Sequence, residues 1–218
     1  EMNARVAKQI AQAHKDLSPG EKYAKSLEKL NPSNLINDVS RYTLENLQRT
    51  YSQMDQDTVE RIVDILLKSD RKYIAGFRGT ACCAQYMASK LLFLTPHVVP
   101  VVHGDATAVE NILDITQHDC LFLYSFPKYS EINRALMDIA RENGAKIILM
   151  TDRHTSPLAS KADVVVLAQV EGLGFTNSYV APLSLSEVIL LAMSDRRDVT
   201  RTVRFKRIDT VMDKERLY

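Results

Sequence analysis

The sequence predicts an α/β protein in which helices cover both faces of a parallel β-sheet. From residue 72 onward, short runs rich in β-branched and aromatic residues alternate with segments whose apolar residues recur at helical spacing. The strand-like runs are apolar throughout, as in parallel strands that are buried on both faces. We therefore expect a three-layer αβα sandwich built on five parallel strands.

The predicted elements follow one another in regular alternation. The strands are YIAGF (73–77), VVPVV (98–102), LFLYSF (121–126), KIILMT (146–151) and VVVLA (164–168). The helices are expected at 80–94, 105–114, 130–143 and 180–195. Sheets of this kind bind ligands beyond the carboxyl ends of their strands, where the strand order reverses. The loops after the first and third strands are therefore the first places to look for a site.

The first 69 residues show helical patterns only. Ser18-Pro19-Gly20-Glu21 and Asn31-Pro32 have the features of helix starts, and a further helix is expected to open at Asp57 to Glu60. Residues 2–30 contain few apolar side chains. We expect this segment to lean on a partner subunit or to connect to another domain. Because the first residue is Glu1, we expect the chain to be a fragment.

Composition narrows the class of protein. A formal net charge of +1 gives no chain-wide surface for nucleic acid or membranes. Residues 196–218 hold eight Lys/Arg against four Asp/Glu, which favours a solvated helical tail or a contact with an acidic partner. No apolar run approaches the ~18 residues of a membrane span. The odd number of cysteines, two of them adjacent, suits neither a metal site nor a disulfide framework, so we expect a cytoplasmic protein without metal or cofactor.

The adjacent cysteines, Cys82 and Cys83, fall in the first turn of a predicted helix. Such a position can lower the pKa of a thiol and support redox sensing. Small buried residues of a helix that packs on a sheet explain the pair equally well.

The first strand ends in the loop Gly76-Phe77-Arg78-Gly79-Thr80-Ala81. Glycines let the backbone approach a ligand closely, and the N–H groups of the following helix point toward it. Arg78 can contact a phosphate or carboxylate through two hydrogen bonds, and Thr80 can donate a hydroxyl. The loop matches only half of a GxGxxG fingerprint, so NAD is not expected. A tight turn closed by a capping threonine remains the alternative explanation.

The third strand ends in a second loop of the same kind. Ser125 closes the strand, Pro127 stiffens the loop, Lys128 supplies charge, and Ser130 is placed to cap the next helix. Capping alone explains Ser130, and an ordinary exposed loop explains Lys128. The pair of loops suggests more, because two parallel strands would deliver hydroxyls and cations to one edge of the sheet. That convergence suits a phosphate.

No catalytic constellation is evident in the sequence. Aldose–ketose isomerisation needs a base next to a carbonyl, for which His103, Glu110 and Glu187 are candidates. Each is also explained as an ordinary solvated side chain. The stretch from Glu171 to Pro182 is rich in small and polar residues. It is expected to form either a lid over the ligand or a loop at a dimer interface.

These motifs resemble the SIS (sugar isomerase) domain over residues 57–195. The family pattern GxGxS/T corresponds to the first loop, and strand-S-x-S-G-x-T-x-E corresponds to the second. A third match is the strand ending at Thr151 followed by Ser156-Pro157-Leu158-Ala159, and KADVVVL (161–167) fits the family's ADxxL. Together with the lead-in LENLQRTYSQMD (44–55), the loop SFPKYS is similar to the effector half of RpiR/MurR-type bacterial transcriptional regulators.

The resemblance implies a function and a set of binding residues. An RpiR/MurR-type effector domain senses a phosphorylated sugar or sugar acid and shifts the DNA binding of a helix-turn-helix domain, which we expect to be missing from this fragment. The implied ligand-binding residues are Arg78, Gly79, Thr80, Ser125, Lys128, Ser130 and Glu187. The chain departs from the pattern at Pro127 and Lys128, which replace a serine and a glycine, and at Ile132, which replaces a glutamate.

The resemblance also implies a domain organisation and partners. We expect a helical connector or dimerisation segment at 1–56, the SIS domain at 57–195 and a basic helical tail at 196–218. The partners would be a phosphosugar effector, operator DNA through the missing domain, and further copies of the chain in a homodimer or homotetramer, with no membrane. The alternative is a catalytic SIS protein, a phosphosugar isomerase or etherase.

Overall fold

The computed structural model describes residues 19–29, 31–174, 176–196 and 199–216. Five strands form the sheet: β1 (Lys72–Gly76), β2 (Val98–Val101), β3 (Cys120–Tyr124), β4 (Lys146–Thr151) and β5 (Val164–Leu167). They are all parallel, in the order β2-β1-β3-β4-β5. The five-stranded parallel sheet that the sequence predicts is therefore confirmed.

Eight α-helices accompany the sheet in these residues. They are α1 (Pro19–Lys29), α2 (Leu35–Tyr51), α3 (Gln56–Lys68), α4 (Ala81–Leu94), α5 (Ala106–Ile112), α6 (Glu131–Glu142), α7 (Val180–Asp195) and α8 (Val199–Glu215). The helix start expected at Asn31-Pro32 is a short 3₁₀ turn, in which the Asn31 side chain accepts a hydrogen bond from the Ser33 N–H at 3.1 Å. Most of the thinly apolar segment 2–30 lies outside the described residues.

Side chains alternate between the two faces of the sheet and create two cores. On β3, Phe122 and Tyr124 pack with α3, α4 and α7, while Leu121 and Leu123 pack with α5 and α6. All four side chains are fully buried. Helices on both faces explain why the strands carry continuous apolar runs, and they confirm the three-layer architecture.

The basic tail packs against the domain through two of its arginines. The Arg201 guanidinium donates to the carbonyl of Met193 near the end of α7, and Arg204 Nε donates to the carbonyl of Leu92 at 3.0 Å, near the end of α4. The last carbonyls of a helix have no partner within the helix, so a cation there stabilises the helix end. Two of the positive charges in the tail therefore stabilise the ends of α4 and α7. No helix in the described ranges is long and apolar enough to cross a bilayer.

The amino ends of the strands carry a buried carboxylate, Asp119, which is 1% exposed. It accepts hydrogen bonds from the backbone N–H groups of Arg71 and Thr116, at 2.9 and 2.8 Å, and forms an ion pair with the Arg71 guanidinium at 3.2 Å. Burial acts to raise the pKa of Asp119, but the hydrogen bonds from Thr116 and Arg71 together hold it below its usual value.

Because the pKa of Asp119 is lowered in the folded state, the free energy of unfolding depends on pH. The contribution of Asp119 is complete above the unfolded pKa of about 4 and is lost as the pH falls through the folded value. We expect Asp119→Asn to melt at a lower temperature than wild type at pH 7, with a difference that shrinks toward pH 3. Melting curves across this range measure it, with the exposed Asp114→Asn as control. A difference that stays constant with pH would contradict the assignment.

Candidate functional site

The two loops singled out in the sequence lie side by side at the carboxyl edge of the sheet. They follow β1 and β3, which are neighbours at the point where the strand order reverses. Gly76 pairs with Tyr124 at the ends of these strands, so both loops leave the sheet at the same level. The fold thus places segments 77–80 and 125–130 side by side, as two loops at one edge of the sheet.

Each of the two loops turns at a cation with an unusual backbone conformation. Arg78 has a φ of 56° and Lys128 a φ of 72°, and both residues are exposed. This left-handed region costs a residue with a side chain about 1–2 kcal/mol relative to its preferred conformations. Such strain tends to collect at functional sites. At Lys128 the conformation also explains why the family pattern has glycine at this position.

The hydroxyl of Thr80 closes the first loop. Thr80 Oγ1 accepts a hydrogen bond from the Phe77 N–H at 2.8 Å and donates to the Phe77 carbonyl at 2.9 Å. A side chain at Gly76 would clash with the Thr80 carbonyl, since a Cβ would lie 2.6 Å from that oxygen. Thr80 therefore closes the turn, as in the alternative explanation, but its side chain makes no hydrogen bond that caps α4. Phosphate binding by Thr80 stays a prediction.

The second loop contains a buried polar pair that the sequence did not reveal. Asn133, in the first turn of α6, donates from Nδ2 to Ser125 Oγ at 2.7 Å, and both residues are buried. Asn133 Oδ1 is the one buried side-chain oxygen or nitrogen among the described residues that has no hydrogen-bond partner. An unpaired buried polar atom is costly, and it indicates a ligand or another missing partner. The signal in the sequence was a polar residue on the face of α6 that carries Leu136 and Met137.

Ser130 does not cap α6 with its side chain. It occupies the N-cap position with an extended backbone, but its hydroxyl makes no capping hydrogen bond. Since capping was the simplest explanation for Ser130 alone, that explanation is wrong in this structure. The hydroxyl and the first N–H groups of α6 lie at the same end of the helix, where anions are stabilised.

Tyr179, the residue before α7, lies over both loops. A Cβ built on Gly79 would lie only 2.7 Å from the Tyr179 Oη atom, so the phenol covers this glycine closely. The Tyr179 ring also packs against Phe126 of the second loop, with 6.1 Å between ring centroids. Burial raises the pKa of the Tyr179 hydroxyl, which therefore stays protonated at neutral pH. Sequence reasoning gave no role to this residue.

A cavity of about 730 Å³ opens at the same edge of the sheet, over the ends of β4 and β5. Of the two predicted loops it reaches the second alone, at Pro127, and none of the predicted ligand-binding residues lines it. Its polar lining residues come from several elements and include Lys25, Arg49, Gln53, Asp152, Arg153, His154, Gln169, Glu171 and Asn177. The volume lies within the range of small-molecule sites. Mixed charges and amides suit a polyhydroxylated ligand.

The candidate bases do not form an acid–base pair. His103 follows β2, Glu110 lies on α5 and Glu187 on α7, and all three side chains are exposed. In the described ranges, no cluster of three His, Cys, Asp or Glu residues is arranged for a metal ion.

The adjacent cysteines occupy different environments. Burial raises the pKa of the Cys83 thiol well above its usual value, which is the opposite of the lowered pKa that redox sensing needs. Cys82 is exposed, and its Sγ atom donates to the Gly79 carbonyl at 3.1 Å. A low-pKa redox pair is thus not supported at Cys83.

Comparison with known proteins agrees with this architecture. The SIS domain model matches residues 65–192. A curated relative, the HTH-type transcriptional regulator RpiR of Escherichia coli K12, is 25% identical over 137 residues, which are 62% of this chain and 45% of the relative. The chain thus matches less than half the length of that regulator.

Two solved structures share the fold. The sugar isomerase domain of an RpiR transcription factor from Sphaerobacter thermophilus superposes with a TM-score of 0.77 and 22% identity, covering 81% of this chain and 99% of that one. The Vibrio vulnificus NanR protein complexed with ManNAc-6P gives a TM-score of 0.70 and 16% identity, covering 84% and 70% of the two chains. The SIS domain model matches more than half of the residues of this chain. The chain therefore belongs to the SIS domain family.

Proposed function

We propose that this chain is the effector domain of a transcriptional regulator and that it binds a phosphorylated sugar or sugar acid. The observation that carries the proposal is the pair of cation-bearing loops at the neighbouring ends of β1 and β3. The match to the E. coli RpiR regulator and the ManNAc-6P complex of NanR support the class of ligand.

The phosphate would bind between the two loops, at the start of α6. Lys128 and Arg78 supply charge, and the Ser130 hydroxyl and the Gly79 backbone supply donors. Asn133 joins this set, because rotation of its amide would let the Ser125 hydroxyl donate to Oδ1 and would turn Nδ2 toward the anion. We call these residues, together with Thr80, the cradle: Arg78, Gly79, Thr80, Ser125, Lys128, Ser130 and Asn133.

The sugar would extend from the cradle past Pro127 into the 730 Å³ cavity, where amides and ion pairs can bind hydroxyl groups. Arg49 is paired with Glu171, and Arg153 with Asp152, each at 3.4 Å. Two acids balanced by two arginines leave the cavity able to accept either a neutral sugar or a sugar acid. Glu187 lies on α7 with an exposed side chain and outside the lining of the cavity, and its contact with ligand stays a prediction.

Sensing fits the site better than catalysis. A proton transfer needs a base within hydrogen-bond reach of the substrate, and the three candidates lie on separate elements in contact with solvent. DNA contact would be made by a segment outside these 218 residues, in keeping with the name of the E. coli relative and the 45% of it that this chain matches. Such a regulator would act in the cytoplasm.

Binding without turnover is the result that we expect. The chain is titrated with fructose 6-phosphate, glucosamine 6-phosphate, N-acetylmannosamine 6-phosphate and 6-phosphogluconate while heat release and melting temperature are measured. At least one compound should bind saturably, and no product should appear during long incubation. Turnover would favour the isomerase or etherase instead. No binding to any compound would overturn the proposed function.

A second copy of the chain is the expected partner for exposed apolar side chains at both ends of the described chain. These are Leu35, Ile36, Val39 and Leu44 on α2, and Val203, Phe205 and Val211 on α8. Ile36 is 85% exposed, and exposed apolar clusters mark contact surfaces. The proposed homodimer or homotetramer is measured by light scattering after size-exclusion chromatography. A monomer at micromolar concentration would contradict it.

A further inference from the structure

The segment between β5 and α7 forms a closed loop, which we call the strap and define as residues 168–174 and 176–179. The Ser178 N–H donates to the Val170 carbonyl at 3.1 Å, which ties the two ends of the loop together. A Cβ at Gly172 would lie 2.1 Å from the Thr176 carbonyl oxygen, so only glycine fits this turn. The bond joins Val170, the residue before Glu171, to Ser178, the residue before Tyr179.

One end of the strap is bonded to α2. Asn46 Nδ2 donates to the Glu171 carbonyl at 2.6 Å, and the Gln169 N–H donates to Thr50 Oγ1 at 2.9 Å. Arg49 lies between them along the helix and pairs with the Glu171 carboxylate at 3.4 Å.

The two side chains of α2 that form hydrogen bonds with the strap are buried. Asn46 is 4% exposed and Thr50 is fully buried. A buried amide or hydroxyl is destabilising unless it is hydrogen-bonded, so both side chains depend on the strap for a partner. Residues four apart face the same side of a helix. One face of α2 is therefore fastened to the strap.

The other end of the strap is Tyr179, which covers Gly79 and packs on Phe126. An oxyanion that reaches the backbone of Gly79 meets the phenol there. A phosphate in the cradle and Tyr179 in its present position therefore compete for the same glycine.

We infer that Tyr179 senses occupancy of the cradle and that the strap transmits the signal to α2. This inference rests on the proposed function. Displacing Tyr179 moves a closed loop whose far end is held by Asn46, Arg49 and Thr50, so ligand binding changes the contacts of α2. A ligand can shift a conformational equilibrium only through contacts that differ between the two states, and the Gly79–Tyr179 contact is such a difference.

Thermodynamic linkage predicts the direction in which a substitution in α2 changes the affinity for ligand. If the bonds to α2 hold Tyr179 over Gly79, weakening them must favour the state that accepts phosphate. Thr50→Val keeps the shape of the side chain but removes the acceptor for the Gln169 N–H. We expect this variant to bind the compound that stabilises wild type more tightly, by about fivefold or more, within the usual range of coupling between sites. General destabilisation of the fold would not tighten binding.

Thr43→Val is the matched control, because Thr43 lies on the same helix and makes no hydrogen bond to the strap among the described residues. Amide hydrogen exchange gives a second readout. In wild type and the control, ligand should change the exchange of both the strap and α2. In Thr50→Val the change in α2 should be smaller than in wild type, because only Asn46 and Arg49 still connect this helix to the strap.

The outcomes separate the two proposals. Saturable binding by wild type, with equal affinity in Thr50→Val and Thr43→Val, would overturn the strap inference and leave the proposed function standing. An α2 exchange pattern in wild type that does not respond to bound ligand would do the same. If none of the sugar phosphates binds wild type, the proposed function fails, and the inference fails with it.

Discussion

Replacing both Ser125 and Ser130 by alanine is expected to abolish the rise in melting temperature that a sugar phosphate produces. At a ligand concentration of 100 times the dissociation constant, binding stabilises the folded chain by about 2.7 kcal/mol. For a chain of this size, that corresponds to a rise of about 5–10 °C. The double variant loses the hydroxyl at the start of α6 and the one that orients Asn133, and its melting temperature should stay within about 1 °C on ligand addition.

Removing Ser125 and removing Ser130 should change the free energy of unfolding by different amounts, so each single variant is compared with the double variant. Ser130 makes no capping bond, so its removal should cost little. Ser125 accepts from Asn133, so its removal leaves a buried amide without partners and costs about 1–3 kcal/mol. Ser130→Ala alone should already reduce the ligand shift in a protein that melts like wild type.

A matched double variant controls for the loss of hydroxyls. Ser89 and Ser194 each donate to a carbonyl three residues earlier in a helix, at 2.7 Å, and lie outside the cradle. Ser89→Ala with Ser194→Ala should keep the full ligand shift. If the cradle variant also kept the full ligand shift, the ligand would bind elsewhere on the molecule and the cradle assignment would be wrong.

The fold was predictable because burial on both faces of a parallel strand leaves a continuous apolar run. The predicted strand 146–151 and helix 180–195 coincide with β4 and α7, and the other predicted strands differ by one or two residues at one or both ends. The prediction that phosphate-binding loops follow neighbouring strands drew on the general rule for parallel sheets and on the family pattern. The fold confirms the placement of the two loops at neighbouring strand ends, while phosphate binding there stays a prediction.

Contacts between distant segments were not predictable. Asn46 and Thr50 resemble solvated residues of a surface helix, because no local pattern tells that the strap, about 120 residues later, lies over them. The position of Tyr179 over Gly79 depends on how the strap crosses the sheet edge. The buried Asn133 did leave a trace, as a polar residue on an apolar helix face, but a single sequence does not separate it from an exposed residue.

Lys128→Ala is expected to weaken sugar phosphate binding about tenfold or more. A hydrogen bond to a charged group contributes about 1.5–3 kcal/mol, and each 1.4 kcal/mol changes a dissociation constant tenfold. The loss should be larger at low ionic strength than at high, since salt screens an exposed charge such as Lys128. Calorimetric titration of wild type and variant at two salt concentrations measures both effects.

Lys128→Gly separates the charge of this residue from its strained backbone. The φ of 72° is a conformation that glycine adopts readily, so the substitution removes about 1–2 kcal/mol of strain. Glycine also has more conformational freedom to lose on folding, which offsets about 0.5–1 kcal/mol of the gain. We expect a melting temperature equal to that of wild type or a few degrees higher, together with the same loss of affinity as in Lys128→Ala. The backbone at this position is already in a glycine-like conformation, so glycine adds no new donor for the phosphate.

His97→Gly is the control for the backbone effect, because His97 has a φ of 57° and precedes β2, at the opposite edge of the sheet from the cradle. It should change the melting temperature in the same direction and leave the affinity unaltered. A protein that gains stability from Lys128→Gly but loses ligand would show that lysine is kept at a strained position for binding. If Lys128→Gly bound sugar phosphate as tightly as wild type, the ammonium group would have no part in holding the phosphate, and the strain at this loop would lack a functional explanation.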